Sequence, residues 1–171
     1  MKPPKDKERG LSLERVRDVL GFDPETGYFV WKKRTAQKIK IDQIAGQVRN
    51  DGYIVISLDN NIYLAHRLAW FHYFGCWPQD GIDHIDGNPS NNRISNLRNA
   101  TSSQNHGNMK MFSTNTSGVR GVSLHRTGKW IAEVWHQRRK IYLGLFDSKE
   151  AAGAVCRAER LKRFGKFARV E

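Results

Sequence analysis

From Asn88 to Arg98 the chain reads Asn-Pro-Ser-Asn-Asn-Arg-Ile-Ser-Asn-Leu-Arg, with four asparagines in eleven positions. This run has almost no apolar side chain to anchor it, so its shape must come from short amides bonding to nearby backbone. It sits within a longer stretch, 81–109, that is poor in hydrophobic residues and rich in Asp, Asn and His. The pattern predicts a strand end at Ile82 to Ile85, a long polar loop, a return strand near Leu97 to Ala100, and a helix capped by Thr101 or Ser102. A loop of this kind needs packed structure beside it. At 39% hydrophobic and 27% charged residues the chain can build a core, and global disorder is excluded.

The flanks supply candidates for that core. Ser12 caps a short helix with Leu13, Val16, Val19 and Leu20 at helical spacing, ending at Gly21. Asp23-Pro24-Glu25-Thr26-Gly27 is turn chemistry before the aromatic run Tyr28 to Trp31. Strands are expected at Ile44 to Val48 and Tyr53 to Leu58 around Asn50-Asp51-Gly52, and at Ile62 to Leu64 after Asn60-Asn61. Ala65 to Tyr73 reads as an amphipathic helix closing at Gly75. Beyond the polar run Ser113 to Ser117, strand patterns recur at Val119 to Leu124, Trp130 to His136 and Lys140 to Phe146. Turns fall at Thr127-Gly128 and Gln137-Arg138-Arg139, and Asp147 or Ser148 caps a last helix stopped by Gly165. The expected order is residues 1–22 as a charged, flexible lead-in and short helix, 23–112 as one domain, 113–117 as linker, and 118–171 as a second domain. The class is α+β.

Net charge is +12, and nucleic acid is the commonest partner for so basic a surface. The excess is uneven: thirteen Lys/Arg face five Asp/Glu from Ser113 onward, against sixteen and twelve before it. Cys76 and Cys156 are isolated, which excludes a disulfide framework and a four-cysteine zinc site; both are expected to be buried thiols in a reducing cytosol. No apolar run reaches membrane-spanning length, no apolar leader opens the chain, and no obligate protein partner is evident. A cytoplasmic protein is expected.

Asp83-His84-Ile85-Asp86-Gly87-Asn88 sets a carboxylate beside an imidazole. On a strand the two point to opposite faces. Phosphodiester hydrolysis needs a base for the attacking water and a hard cation to neutralise the phosphate and leaving oxygen. Asp83 and the amide oxygen of Asn105 suit Mg²⁺, and His84 titrates in the right range to be the base.

Together with His66-Arg67-Leu68, Asn91-Asn92-Arg93, Asn96-Leu97-Arg98 and Asn105, this segment resembles the HNH endonucleases of phages and group I introns over roughly residues 25–110. The resemblance implies a ββα-metal fold with one divalent ion, Mg²⁺ or Mn²⁺, on Asp83 and Asn105. It makes His84 the general base, and Asn96 a support that orients the His84 segment through backbone bonds. It also implies 5′-phosphate and 3′-hydroxyl products. His106 is the alternative second ligand, because many such enzymes carry His at this position. Asp86 and Asn88 shape the turn, His66 and His72 are structural, and Arg93 and Arg98 are near enough to reach phosphate.

Residues 117–165 resemble the plant APETALA/ethylene-response DNA-binding domain through Gly118-Val119-Arg120-Gly121-Val122, Gly128 to Val134 and Tyr142 to Asp147 followed by Glu150-Ala151-Ala152. That implies a three-stranded antiparallel sheet plus helix, one sheet face entering a DNA groove. The DNA-facing set is Arg120, His125, Arg126, Lys129, Trp135, Arg138, Arg139 and Lys140. Ser123, His125 and Thr127 replace the usual base readers, so the plant recognition sequence does not carry over. The expected function is a site-selective, nicking endonuclease of homing type acting on double-stranded DNA, in the host cytoplasm if phage-encoded. The alternatives are a DNA-binding regulator with a vestigial nuclease centre, or a poorly selective phage DNA-processing nuclease.

Overall fold

A computed structural model describes Glu8 and residues 10–169. The rest of the charged lead-in expected at 1–9 lies outside the described residues. The chain divides into two compact units, one up to Thr101 and one from Ser102 onward. The polar run 113–117 therefore lies inside the second unit.

In the first unit, Ser12 accepts from the Arg15 amide at 3.1 Å and starts α1 (Leu13–Val19). Strand β1 (Leu20–Phe22) turns back on β2 (Phe29–Trp31) through Asp23–Gly27, where the Asp23 carboxylate accepts from the Glu25 amide and the Thr26 hydroxyl. The expected strand Ile44 to Val48 breaks at Gly46. Its first half, β3 (Ile44–Ala45), pairs with β2, while β4 (Gln47–Val48) joins β5 (Ile54–Leu58) and β6 (Asn61–Leu64). One strand thus serves two small sheets. Helix α2 (Ala65–Phe74) stops at Gly75, whose left-handed backbone lets its amide bond the Phe71 carbonyl.

Val16, Val19, Leu20, Phe29, Ile56, Leu58 and Leu68 are fully buried in one cluster, each contributing about 1.5–3 kcal/mol on removal from water. Arg67 of α2 grips Glu8 with two parallel bonds of 2.7 and 2.8 Å. On this core lies the two-stranded ribbon of β7 (Gly81–His84) and β8 (Leu97–Ala100), Ile82 and Leu97 facing inward.

The second unit opens with α3 (Ser102–Asn108). A three-stranded antiparallel sheet follows in the order β9 (Val122–Leu124), β10 (Trp130–His136), β11 (Arg139–Phe146). The expected strand at Val119 to Leu124 is shorter because Gly121 turns the chain at φ +76°. Gln137 and Arg138 both take left-handed φ, the geometry of a two-residue hairpin turn. Helix α4 (Lys149–Phe164), capped by Ser148 at 3.2 Å from the Ala151 amide, packs on the sheet, and Ala152, Cys156, Val122, Ala132 and Val134 are all buried. Of the two cysteines expected to be buried, only Cys156 is; Cys76 is exposed, because it follows Gly75 where α2 has already ended. Among the described residues no helix is long and apolar enough to cross a membrane.

Candidate active site and nucleic-acid face

Strand β7 delivers Asp83 and His84 at its C-terminal end, both buried. Asp83 stands opposite Arg98 in the β7–β8 register, and the guanidinium bonds its Oδ2 through Nε at 2.7 Å and Nη2 at 2.6 Å. Arg98, which the sequence placed near enough to reach phosphate, is paired here with Asp83. Its head group is only 15% exposed and committed to Asp83, because cross-strand pairing places the two charges face to face.

The His84 ring lies edge-on to His66, with centroids 5.0 Å apart, and to Tyr53 at 6.0 Å. Its Nε2 is 3.2 Å from Oδ1 of Asn92, a side chain only 1% exposed. If the Asn92 oxygen accepts, the imidazole proton sits on Nε2 and the basic lone pair on Nδ1. Burial pulls the His84 pKa below its ordinary value, while the bond to Asn92 and the carboxylates of Asp86 and Asp83 push back only partly. The site thus favours a neutral imidazole, the form that can take a proton.

The asparagine-rich loop holds itself as its composition demanded. Asn96 donates to Asp86 Oδ1 at 3.0 Å and to the Asn91 carbonyl at 2.8 Å, and its own oxygen accepts from the Asp86 amide at 3.1 Å. Its backbone carbonyl takes the Ile85 amide at 2.9 Å, so the residue bonds the segment after His84 from several atoms. Burial pushes the Asp86 carboxyl up, but donation from the Asn88 amide and from Asn91 and Asn96 more than offsets this and holds it below the usual range. Two upstream turns brace the loop from outside. The Ile94 amide bonds the Pro24 carbonyl at 3.1 Å, and Ser90 Oγ donates to the Gly52 carbonyl at 2.6 Å. Gly27 approaches so closely that a Cβ there would lie 2.4 Å from the Arg93 nitrogen and 2.5 Å from the Asn92 carbonyl carbon.

Asn105 and His106 lie on α3 in the second unit, Asn105 half-buried and His106 exposed. Among the described residues no three His, Cys, Asp or Glu gather as a metal cluster. A Mg²⁺ site does not require one, since that ion takes one or two protein oxygens and keeps its waters. Asp83 and Asn105 are hard oxygen donors of that kind, and the donor chemistry fits.

On the second unit's sheet, Trp135 is 51% exposed and pairs across the ribbon with Lys140. Arg126, Lys129, Arg138 and Arg139 are exposed with them, Lys129 near Asp147 at 2.9 Å, and His125 is half-buried against Thr127. Arg93 is exposed on the first unit. Arg120, expected to face a groove, is half-buried, and its Nε and Nη2 are buried without a hydrogen-bond partner. Sequence reasoning missed Asn92, for one asparagine among four carries no mark of which reaches His84. It also missed Tyr53, and gave His66 a structural part without placing it against His84. Tyr142, exposed opposite Glu133 on the strand that carries Lys140, is a further member of the outer face.

A family model described as HNH endonuclease matches residues 63–106. That span includes Asp83, His84, Asn96 and Asn105, and excludes the residues that resemble the APETALA-type domain. Protein 3.8 of Escherichia phage T7 is 37% identical over 89 residues, covering 52% of this chain and 73% of that protein. A solved structure described as "DNA binding and cleavage by the HNH homing endonuclease I-HmuI" aligns at a TM-score of 0.42 and 26% identity over 56% of this chain. The chain spans about half, 54%, of the chain in that structure.

Proposed function

The chain belongs to the same family as protein 3.8 of phage T7 and carries an HNH endonuclease domain, and from that premise we propose that it hydrolyses DNA phosphodiester bonds at His84. The observation that carries this reading is the His84 environment: a buried imidazole held by Asn92, shifted toward its neutral form, beside the carboxylate of Asp83.

In this reading Nδ1 of His84 accepts a proton from water. The hydroxide attacks phosphorus, the bond to the 3′ oxygen breaks, and the products carry a 5′-phosphate and a 3′-hydroxyl. Asn92 fixes which nitrogen is basic, and the Asn96–Asp86 network stops the strand end from drifting. Holding the base in place can itself be worth orders of magnitude in rate. Asp83 and Asn105 would hold a divalent cation, Mg²⁺ or Mn²⁺, with His106 as the alternative to Asn105. Such an ion, when bound, neutralises charge on the scissile phosphate and the leaving oxygen. Arg98 orients Asp83 from the neighbouring strand.

DNA as substrate is supported by the charge of +12, concentrated after Ser113. The outer sheet face with His125, Arg126, Lys129, Trp135, Arg138, Arg139 and Lys140 would supply phosphate contacts and some sequence selection, as a DNA-binding domain of the APETALA type does. One catalytic centre acts on one strand, so the product is a nick, and a preference for few sites would make the enzyme a homing endonuclease.

Supercoiled plasmid with the full chain and Mg²⁺ or Mn²⁺ tests the reading. Wild type should convert it to open circle, and His84→Ala should lose conversion while still shifting DNA in a gel. A wild type that shifts DNA but never cuts would favour a DNA-binding regulator. Sequencing the cut ends separates a few preferred sites from the scattered cuts of a poorly selective nuclease.

A further inference from the structure

The second unit contains two arginines whose charges are poorly answered. Arg160 of α4 is 6% exposed; its Nη2 donates to the Gly107 carbonyl at 2.6 Å and its Nε to the Arg169 carbonyl at 3.3 Å, so both bonds end on neutral groups. Arg120 is half-buried, and its Nε and Nη2 meet no acceptor at all. Burial and the nearby Arg120 cation bring Arg160 down to about 10, and burial followed by repulsion from Arg169 lowers Arg120 as well. The acid on this wall, Glu133, is bridged to Lys140 at 2.8 Å.

Both arginines line one cavity of about 270 Å³, together with Asn115, Glu133 and His106. Pockets for organic ligands run upward from about 300 Å³, so this one suits a small ion or a single functional group. Arg120 brings two unpartnered donors and Arg160 a second guanidinium, a pairing suited to the oxygens of a phosphoryl group. Leaving buried polar donors unmet is costly, so an oxyanion that accepts from Arg120 Nε and Nη2 would be bound favourably.

We propose that the Arg120–Arg160 cavity is a binding site for a phosphoryl oxyanion, taken up either as free phosphate or as a backbone phosphate of bound nucleic acid. The assignment does not depend on catalysis.

The test is the melting temperature of the full chain in phosphate-free buffer, then with sodium phosphate added at constant ionic strength balanced by chloride. Wild type should show a saturable rise. Arg120→Met, which keeps the stem and removes the charge, should melt no lower than wild type without phosphate and gain nothing from it. A variant that melts lower, or that keeps the phosphate response, overturns the assignment. Calorimetric titration of wild type with phosphate gives an answer independent of any variant. Saturable heat at one site per chain supports the proposal, and no heat refutes it. Anisotropy with labelled duplex separates the sources. Competition by phosphate, with weaker duplex binding by Arg120→Met, places a DNA phosphate in the cavity; unchanged duplex affinity assigns it to the free ion.

Discussion

Replacing Gly27 by alanine should damage the catalytic loop although Gly27 lies more than fifty residues upstream of it. The size of the effect follows from two separable terms. At φ +76° an alanine loses about 1–2 kcal/mol relative to an unstrained backbone. Its Cβ would also stand 2.4 Å from the Arg93 nitrogen and 2.5 Å from the Asn92 carbonyl carbon, both backbone atoms that cannot swing aside. Forcing a packed contact of this kind costs about 1–3 kcal/mol more. Gly75 isolates the second term: it has the same φ of +76°, yet its added Cβ would meet only Leu13 Cδ2 at an ordinary 3.5 Å. In urea denaturation Gly27→Ala should therefore lose about 1–3 kcal/mol beyond Gly75→Ala. Because the displaced backbone carries Asn92, nicking of supercoiled plasmid should fall about 10- to 100-fold in Gly27→Ala. Equal stability losses in the two variants, with nicking by Gly27→Ala intact, would refute the idea that this turn braces the site.

Three further outcomes are expected. Asn92→Leu removes the bond to His84 Nε2 at 3.2 Å while keeping the same branched four-atom side-chain shape; losing about 1.4–2.7 kcal/mol of positioning should slow single-turnover nicking about 10- to 100-fold with DNA affinity unchanged. His72 lies below its ordinary value because of burial first, then the Arg17 and Lys32 cations. The unfolded chain therefore takes up this proton first, so stability is level above about pH 6.5 and declines as the pH falls below it. His72→Gln should flatten that decline in urea midpoints measured from pH 8 to 5. Replacing Arg138, Arg139 and Lys140 together by alanine should reduce the salt dependence of duplex binding by about 0.9 in log–log slope for each phosphate these side chains neutralise. An unchanged slope would remove these residues from the interface.

The residues that declare themselves locally were legible. Ser12 and Ser148 mark helix starts by their side-chain chemistry, and Gly75 and Gly165 mark the stops, because caps are decided within one turn of chain. The strand pair around the asparagine loop was equally readable, since its two apolar ends bracket a segment that cannot pack. What could not be read depends on register and long-range approach. Arg98 looks like a surface arginine until cross-strand pairing sets it against Asp83. Asn92 looks like its neighbours until the loop closes and buries it against His84. Arg120 sits in a motif that implies a groove contact, and nothing in its neighbours says that two of its nitrogens are buried without a partner. Ile44 to Val48 shows one continuous apolar pattern, and nothing in it says that the two halves join different sheets.

The bracing of the 88–96 loop by Pro24, Gly27 and Gly52 has a consequence for how the protein is made. During synthesis the braces leave the ribosome before the loop they hold. A fragment cut to the 63–106 span would carry every proposed catalytic side chain and none of the three braces. Transplanting the site to another protein would therefore require moving its upstream turns with it. A chimera that ignored them would present His84 on a strand end with only the loop's own bonds to hold Asn92 against it.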